Sequence, residues 1–443
     1  MSTLHRRRFL QLAAATSALS ALPGPLRAAA RTPGPDQGMW LAGDLHCHSI
    51  YSHDVWSPTG DDNTGMDEFY TWGHTPGEQI GNAELRGLDF LAVTDHNDVR
   101  SAHAPDYASD TLTLLPGYEH SLGGGHAGVF FPRLEDLSVI EDPVYGRSFE
   151  GDTAFEAFVA AVKEREGIVV ANHPYDKGQR TERSWEYGED ATANVTAIEA
   201  WNSAWFLRYE TSPLYDMNND QAVQWWEAHF AARRAMVGGS DNHWRALDNG
   251  GGVGQPTTWV YARDRSAAAI LEGIAAGRTF VSSQPPALGG ARVVLSATET
   301  WTGGRTAPVG GHVHGEGPLL ARAVVTNGTG ARLRLVSTDP VTGTGRVVAD
   351  QRVIGVNETI EHPVVLVPGG ALRAELYDDQ AVLMRALTSA IAAVGRAPIE
   401  VRTEPTTGPQ VSYDFFAPPL ETPGGEATMV RSQMLPTCEC GAH

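Results

Sequence analysis

Positive charge is the first shortage. The 443 residues carry 33 Lys and Arg against 53 Asp and Glu, a formal balance of −20. That balance argues against nucleic acid or an anionic membrane surface as a main partner, and it reads most simply as solubility. Cysteine is scarce as well. Cys47, Cys438 and Cys440 are the whole complement, and they make no disulfide framework. The chain also lacks a long apolar run. The stretch after Arg6-Arg7-Arg8-Phe9-Leu10 breaks at Pro23-Gly24-Pro25, short of the roughly 20 apolar residues that span a bilayer. No stable membrane anchor is therefore expected, although a retained anchor is the second reading of that segment. The arginine pattern, the modest Ala/Leu/Ser stretch and Ala28-Ala29-Ala30 predict a twin-arginine signal over 1–30, hence a periplasmic or secreted protein. A lipoprotein is excluded, because no cysteine precedes Cys47.

What the chain does have is organised around Gly43-Asp44-Leu45-His46-Cys47-His48-Ser49, which follows the apolar run Met39 to Ala42. In extended chain, residues i and i+2 share a face about 6.5–7 Å apart. His46 and His48 can thus converge on one ion while Cys47 points away. The same grammar repeats downstream. Thr75-Pro76-Gly77-Glu78 is a capping box opening a helix to about Arg86. Phe90 to Thr94 reads as a strand that delivers Asp95 and His96, and Thr111 to Leu115 as one that precedes Glu119 and His120. Gly123 to Gly125 leads to His126 before the short strand Ala127 to Phe131. An amphipathic helix over Thr153 to Arg165 precedes the strand Ile168 to Ala171 and then His173. Val195 to Ile198 ends in Glu199 and Asn202, and a helix near Asn219 to Arg234 follows. Ala235 to Gly239 delivers Asp241 and His243 before the strand Thr257 to Ala262 and a helix capped by Ser266.

Strand–helix alternation over this length predicts an α/β fold with a parallel sheet, closed or nearly so, carrying its active groups at the C-terminal strand ends. From about Ala287 the runs shorten and no long amphipathic helix follows, which predicts a small β-sandwich over 287–395. Residues 396–443 read as an extended, partly disordered tail. Cys438, Cys440 and His443 lie in it, and weak metal binding there is the minor reading.

His46, His48, His96, Glu119, His126, His173, Asp241 and His243 are nitrogen and oxygen donors suited to zinc, manganese or iron. Eight such groups exceed what one tetrahedral ion needs, so two or three divalent ions are expected, with Glu119 as the natural bridge. As an ordered set, Asp44-Leu-His46-x-His48-Ser, Thr94-Asp95-His96-Asn97, Gly117-x-Glu119, Gly125-His126, Asn172-His173-Pro174 and Gly239-Ser240-Asp241-x-His243 resemble the PHP (polymerase and histidinol phosphatase) superfamily. Ile198 to Asn202 and Leu387 to Ile391 resemble its CehA/McbA branch, the carbaryl-hydrolase-like metallohydrolases.

The resemblance implies a distorted (β/α)7 barrel over 38–286 and an exported hydrolase that attacks esters with a metal-activated hydroxide. It places His46, His48, Glu119 and Asp241 on a first ion and Glu119, His126 and His173 on a second. His96 and His243 would hold a third, completed by Asp54 or, alternatively, His53. Asp44 and Asp95 are expected to orient ligand histidines, and Glu199 to do the same or to meet substrate.

The substrate is expected to be a small ester, with phosphoesters first and carbamate or carboxyl aryl esters second. Lys177, Arg180 and Arg183, with Arg245, are candidate phosphate clamps. Trp201 and Trp244, with Tyr175 and Trp205, are candidate walls for an aryl group, although a packing role is the first reading for most of these aromatics, and Asn202 is a further candidate contact. The amidohydrolase barrel also opens with His-x-His, but it often bridges its ions with a carboxylated lysine at a strand end. Lys163 and Lys177 are the only lysines, one in a helix and one in a loop. A non-catalytic metal- or carbohydrate-binding protein is the remaining reading. Its storage form is disfavoured by ligands dispersed along the chain instead of gathered in one tract. His312-Val313-His314 has no ligand set after it and reads as structural. The sequence leaves the oligomeric state open.

Overall fold

The apolar side chains of Met39 to Asp44 go alternately to two sides. Leu41 joins a cluster with Phe90, Val170 and Val237, whereas Ala42 joins one with Ile80, Leu88 and Phe280. This period of two makes β1 (Met39–Asp44) a strand buried on both faces. The computed structural model describes residues 38–53, 55, 73–121, 123–141, 151–175, 183–202, 217–231, 234–243, 252–301, 303–315, 317–380 and 383–395.

After β1 come α1 (Pro76–Leu85), β2 (Phe90–Leu91), β3 (Thr113–Leu114), β4 (Gly117–His120), β5 (Ala127–Phe130), α2 (Asp152–Glu164) and β6 (Ile168–Ala171). Then follow α3 (Glu189–Thr192), β7 (Ala197–Asn202), α4 (Met217–His229), β8 (Ala235–Gly239), β9 (Thr257–Ala262), α5 (Ala267–Ala275) and β10 (Thr279–Ser282). The capping box at Thr75 forms with both of its hydrogen bonds, and Ser266 caps α5.

These strands do not close into one hydrogen-bonded ring among the described residues. They form two arcs, β10-β9-β1-β2-β3 and β4-β5-β6-β7-β8. The pairing is also mixed, where alternation alone predicts parallel. β1, β2 and β3 are parallel, as are β6, β7 and β8, but β4 to β6 and β1 to β10 by way of β9 are antiparallel. The six residues between β4 and β5 are too few for the crossover a parallel pair requires. One apolar core nevertheless spans both arcs, with Leu41, Phe90, Phe130, Val170, Ala197, Val237 and Val260 in a single buried cluster.

Side-chain hydroxyls stitch β8 to β9 and β10. Gly238 N donates to Thr258 Oγ1 at 2.8 Å, and that hydroxyl donates back to Gly238 O at 2.6 Å. Thr279 Oγ1 donates to Met236 O at 2.8 Å, and Met236 N donates to Ser389 Oγ at 2.8 Å. The side of β8 away from its ladder with β7 thus has buried peptide groups satisfied by side-chain hydroxyls.

From residue 287 to 395 the described chain is almost entirely strand. It runs through β11 (Arg292–Glu299), β12 (Thr306–Pro308), β13 (His312–His314), β14 (Pro318–Thr326), β15 (Arg332–Thr338) and β16 (Gly345–Arg352). It continues through β17 (Asn357–Val365), β18 (Ala371–Tyr377), β19 (Met384–Thr388) and β20 (Ile391–Val394). β12-β11-β14-β17 form a four-stranded antiparallel sheet. β19 pairs with β10, so β13, β15, β16 and β18 to β20 extend the first arc into an 11-stranded sheet. Val293, Leu295 and Val325 from the smaller sheet meet Leu335, Leu372 and Leu376 from the larger in one apolar cluster. Residues 396–443, assigned above to a tail, lie outside the described residues. No helix among the described residues is long and apolar enough to cross a membrane.

The hydroxyl seam yields a stability test. Thr258→Val keeps the side chain's shape but leaves two buried peptide groups of Gly238 without that partner. Urea unfolding should show a loss of about 1–3 kcal/mol, since an orphaned buried polar group costs that much.

Candidate metal centre

The ligand candidates lie where the two arcs meet. At one junction Asp241 N donates to His46 O at 2.7 Å and His48 N donates to Asn242 O at 2.9 Å. At the other, Asn97 N donates to Glu119 O at 2.8 Å and Glu119 N donates to Asp95 O at 3.2 Å. The main chain of the ligand segments thus bridges the two arcs. Three non-glycine residues here have positive φ: Asn97 at 51°, His173 at 22° and Asp241 at 51°. That conformation is costly for them and persists only where surroundings impose it. Glu199 Oε2 accepts the His173 amide at 2.9 Å, and Asn97 is tied to Ser121 through both side-chain amide atoms.

Glu119, wholly buried, is the hub. Its Oε2 lies 3.0 Å from His96 Nδ1, 3.3 Å from His46 Nε2 and 3.5 Å from His48 Nε2. Its Oε1 lies 3.2 Å from His173 Nε2 and 3.3 Å from His126 Nδ1. Asp241 Oδ1 lies 3.2 Å from His46 Nε2, 3.1 Å from His48 Nε2 and 3.5 Å from His243 Nδ1. Four sets of three residues bring their donor atoms within 4.8 Å of one another: His46, His48 and Asp241; His46, Glu119 and His173; His96, Glu119 and His126; His48, His96 and His243. His46, His48, His96 and Glu119 are buried, His173, Asp241 and His243 nearly so, and His126, at 38% exposure, opens toward solvent.

Several features of this geometry fit divalent cations. Glu119 Oε2 and His46 Nε2 are buried, 3.3 Å apart, and neither makes a hydrogen bond. The rings of His48 and His243 stack with centroids 3.9 Å apart, and His48 and His96 are 4.6 Å apart. Burial and the neighbouring His243 push His48 down to about 3. Burial alone would raise the Glu119 and Asp241 carboxyls, but the surrounding imidazoles prevail and hold both well below the usual carboxylate range. Burial opposes a charge on His173, yet its hydrogen bond to Glu119 lifts it to about 9. Protons therefore partly occupy donors that a shared cation would take.

Around the donors stands a shell of hydrogen bonds. Glu199 Oε1 faces His46 Nδ1 at 3.0 Å, which fixes the ring with Nε2 toward Glu119. A Cβ on Gly239 would collide with His46 and Glu199, so this close approach requires glycine there. The expectation that Asp44 and Asp95 orient histidine rings is corrected to main-chain contacts. Asp44 accepts the amides of His46 and Ser240 at 3.0 Å each and of Gly254 at 2.7 Å. Asp95 accepts Ser49 N at 2.6 Å and Ser49 Oγ at 2.8 Å, and burial raises it to about 6 against those bonds.

Three contributors went unassigned in the sequence. Asn172 Nδ2 donates to Glu119 Oε1 at 3.0 Å, and Ser52 Oγ lies 3.1 Å from His48 Nδ1 while accepting the His96 amide at 3.2 Å. Gln79 Nε2 donates to His48 O at 2.6 Å. Asn172 beside His173 was the legible one; isolated Ser and Gln leave no pattern. Cys47 turns away, its buried thiol 3.4 Å from Ala92 O.

The substrate candidates fare differently. Trp201 is fully buried in the largest apolar cluster, so it is a core residue and not a pocket wall. Arg183 pairs with Glu189 at 3.0 Å and stacks over Trp225. Asn202 donates to Glu199 Oε2 at 3.0 Å and Asp241 Oδ2 at 3.2 Å, a positioning contact. Asp54, Lys177, Arg180, Trp205, Trp244 and Arg245 lie outside the described residues. His53 is exposed, with its ring 4.9 Å from that of His96. Lys163 donates to Asn194 O at 2.6 Å on the surface, and His314 pairs with Glu299 at 2.9 Å.

No protein-family model and no curated protein matches the chain. Among solved structures, a two-domain protein from Bacteroides vulgatus containing a predicted PHP-like metal-dependent phosphoesterase is 19% identical. That match covers 82% of this chain and 98% of the other, with a TM-score of 0.41. An amidohydrolase from Chromobacterium violaceum, with bound sulfate and no metal, is 18% identical over 47% of this chain and 89% of its own, with a TM-score of 0.29. At that level of overlap neither assigns a chemistry to this chain.

Loading should be coupled to protons. Because His173 titrates near 9 and must be neutral to ligate, affinity for Zn²⁺ or Mn²⁺ should rise as pH climbs from 6 toward 9. Calorimetry in buffers of different ionisation enthalpy should register net proton release on binding.

Proposed function

We propose that the chain is a metal-dependent hydrolase of the PHP type that cleaves phosphoesters, with two or three zinc, manganese or iron ions. The observation that carries this reading is Glu119, a buried carboxylate whose two oxygens both face imidazole nitrogens. His46, His48, Asp241 and Glu119 would hold one ion, and Glu119, His126 and His173 a second. His96 and His243 would hold a third, with His48 within reach. When bound, such ions supply Lewis acidity to an ester oxygen and make water a nucleophile near neutral pH.

The chain's own residues prepare that chemistry. Glu199 holds the Nδ1 proton of His46, so that Nε2 offers its lone pair inward. Asn172 and Asn202 restrain Glu119 and Asp241 by donating to them. His126, the most exposed ligand, marks the side open to substrate.

A charge balance favours phosphoesters over neutral esters. Among the described residues, Glu119, Asp241 and Glu199 are the carboxylates that face the ligand imidazoles, and with one hydroxide they would leave a three-ion centre two charges positive. The centre therefore stays cationic and attracts an anion. The second reading, a carbamate or carboxyl aryl ester, draws on the Ile198 to Asn202 segment of the CehA/McbA resemblance, which supplies Glu199 and Asn202 to the site. Export through residues 1–30 and a distorted barrel over 38–286 belong to the same proposal.

One assay panel decides between the substrates: p-nitrophenyl phosphate, bis-p-nitrophenyl phosphate, p-nitrophenyl acetate and an aryl N-methylcarbamate, each with Mn²⁺ or Zn²⁺. Phosphoester cleavage abolished by chelator is the expected result; cleavage of the carbamate alone transfers the assignment to the second reading. Glu119→Gln should cut turnover roughly a thousandfold, equivalent to about 4 kcal/mol of transition-state stabilisation. Retention of a near-normal rate would show that Glu119 is not the bridge.

A further inference from the structure

We propose that Asn219 is a positioning residue for the metal centre, and that the C-terminal strands hold it in place through α4. The inference rests on the metal-centre reading and adds to it a dependence on a distant part of the chain.

Asn219 is buried at the start of α4. Its side-chain amide engages the main chain of Asn202 at two points. Oδ1 accepts Asn202 N at 2.9 Å, and Nδ2 donates to Asn202 O at 2.8 Å. A carboxamide has the donor and acceptor of a peptide group, so Asn219 acts as one residue of an additional strand at the end of β7. Fixing the Asn202 backbone fixes its side chain. The two N–H bonds of Asn202 Nδ2 go to Glu199 Oε2 and Asp241 Oδ2, at 3.0 and 3.2 Å. The other oxygens of those carboxylates face His46, at Nδ1 and Nε2 respectively. A closed circuit of Asn202, Glu199, His46 and Asp241 thus hangs on one helical side chain.

The far half of α4 is locked separately. Glu227, buried, accepts Arg373 Nη1 of β18 at 2.5 Å and Thr338 Oγ1 of β15 at 3.0 Å. Arg373, also buried, donates its Nη2 to Glu375 Oε1 at 2.6 Å, and Tyr377 completes the set on Glu375 Oε2 at 3.1 Å. An apolar contact here would tolerate sliding of the helix, whereas a buried charge pair is satisfied in one register. Glu227 lies eight residues from Asn219, about 12 Å along the helix axis. α4 is therefore a strut with its foot on the C-terminal strands and its tip on Asn202, which in turn restrains the candidate ligand Asp241.

The test measures Mn²⁺ affinity by electron paramagnetic resonance in the full chain, for wild type, Asn219→Ala, Glu227→Gln and the double variant, with thermal melts of the metal-free proteins alongside. Loss of an outer-shell partner typically weakens metal binding about 10–100-fold, and that loss is expected for Asn219→Ala. Glu227→Gln, nearly isosteric, should weaken binding in the same direction by about threefold or more, following the same logic. Because both act through one strut, the double variant should bind no more weakly than Asn219→Ala alone. Wild-type affinity in Asn219→Ala, even with a lowered melting temperature, would reduce Asn219 to a packing residue and overturn the proposal. Simple additivity in the double variant would overturn the strut. Should Asn219→Ala fail to fold, unchanged affinity in Glu227→Gln overturns the link on its own. Failure of the wild type to bind any divalent metal is a separate result that removes the metal-centre reading, and this proposal with it.

Discussion

A carboxylate sealed from water must be compensated, and much of this molecule is arranged around compensating Glu119. Moving an ion of that size into a low-dielectric interior is far too costly to leave unanswered. Here the answer is five imidazole nitrogens within 3.5 Å, supplied by residues from four separate stretches of chain. Such a hub defines where strands must end, because each histidine arrives just beyond or just before a buried extended segment. It also explains the crowding that drives His48 down and His173 up.

The site and the fold are consequently hard to separate. The arcs of strands are not joined by continuous ladders. They are joined by hydroxyl bridges from Thr258 and Thr279, and by peptide bonds of the ligand segments themselves. A candidate ligand such as His46 contributes its ring to the cluster and its carbonyl to the junction. Cations gathered there would tighten both arcs at once, so occupancy and folding stability are thermodynamically linked.

Much of this was legible in the chain. The period of two around His46, Cys47 and His48 places the histidines together and the thiol apart. Glycine, proline and capping residues mark α1 and α5 nearly to the residue. What failed to show was long-range. Antiparallel pairing of β4 with β5 follows from their short connection, but that of β5 with β6, across a connection holding α2, leaves no local signal. β10, four residues long, is too short to carry a pattern of its own. Trp201 reads as a wall residue because it sits two positions past Glu199, and only the bulge between them shows why it packs into the core. Aspartates beside ligands suggest ring contacts by analogy, yet Asp44 and Asp95 serve the main chain, which no motif distinguishes.

The thiol of Cys47 has a consequence of its own. Set between two ligand residues, it would be the softest donor available, and a thiolate there would favour copper(I) or cadmium over harder ions. Burial, reinforced by Asp44, Asp95 and Asp241, pushes its ionisation far up, and it faces a carbonyl oxygen instead of the cluster. Because the thiolate is the form that attacks disulfides or peroxide, burial and the bond to Ala92 O hold Cys47 in its less reactive form. The centre can accordingly stay an all-nitrogen-and-oxygen site under oxidising conditions, with no sulfur to be capped by glutathione or burnt to a sulfinate.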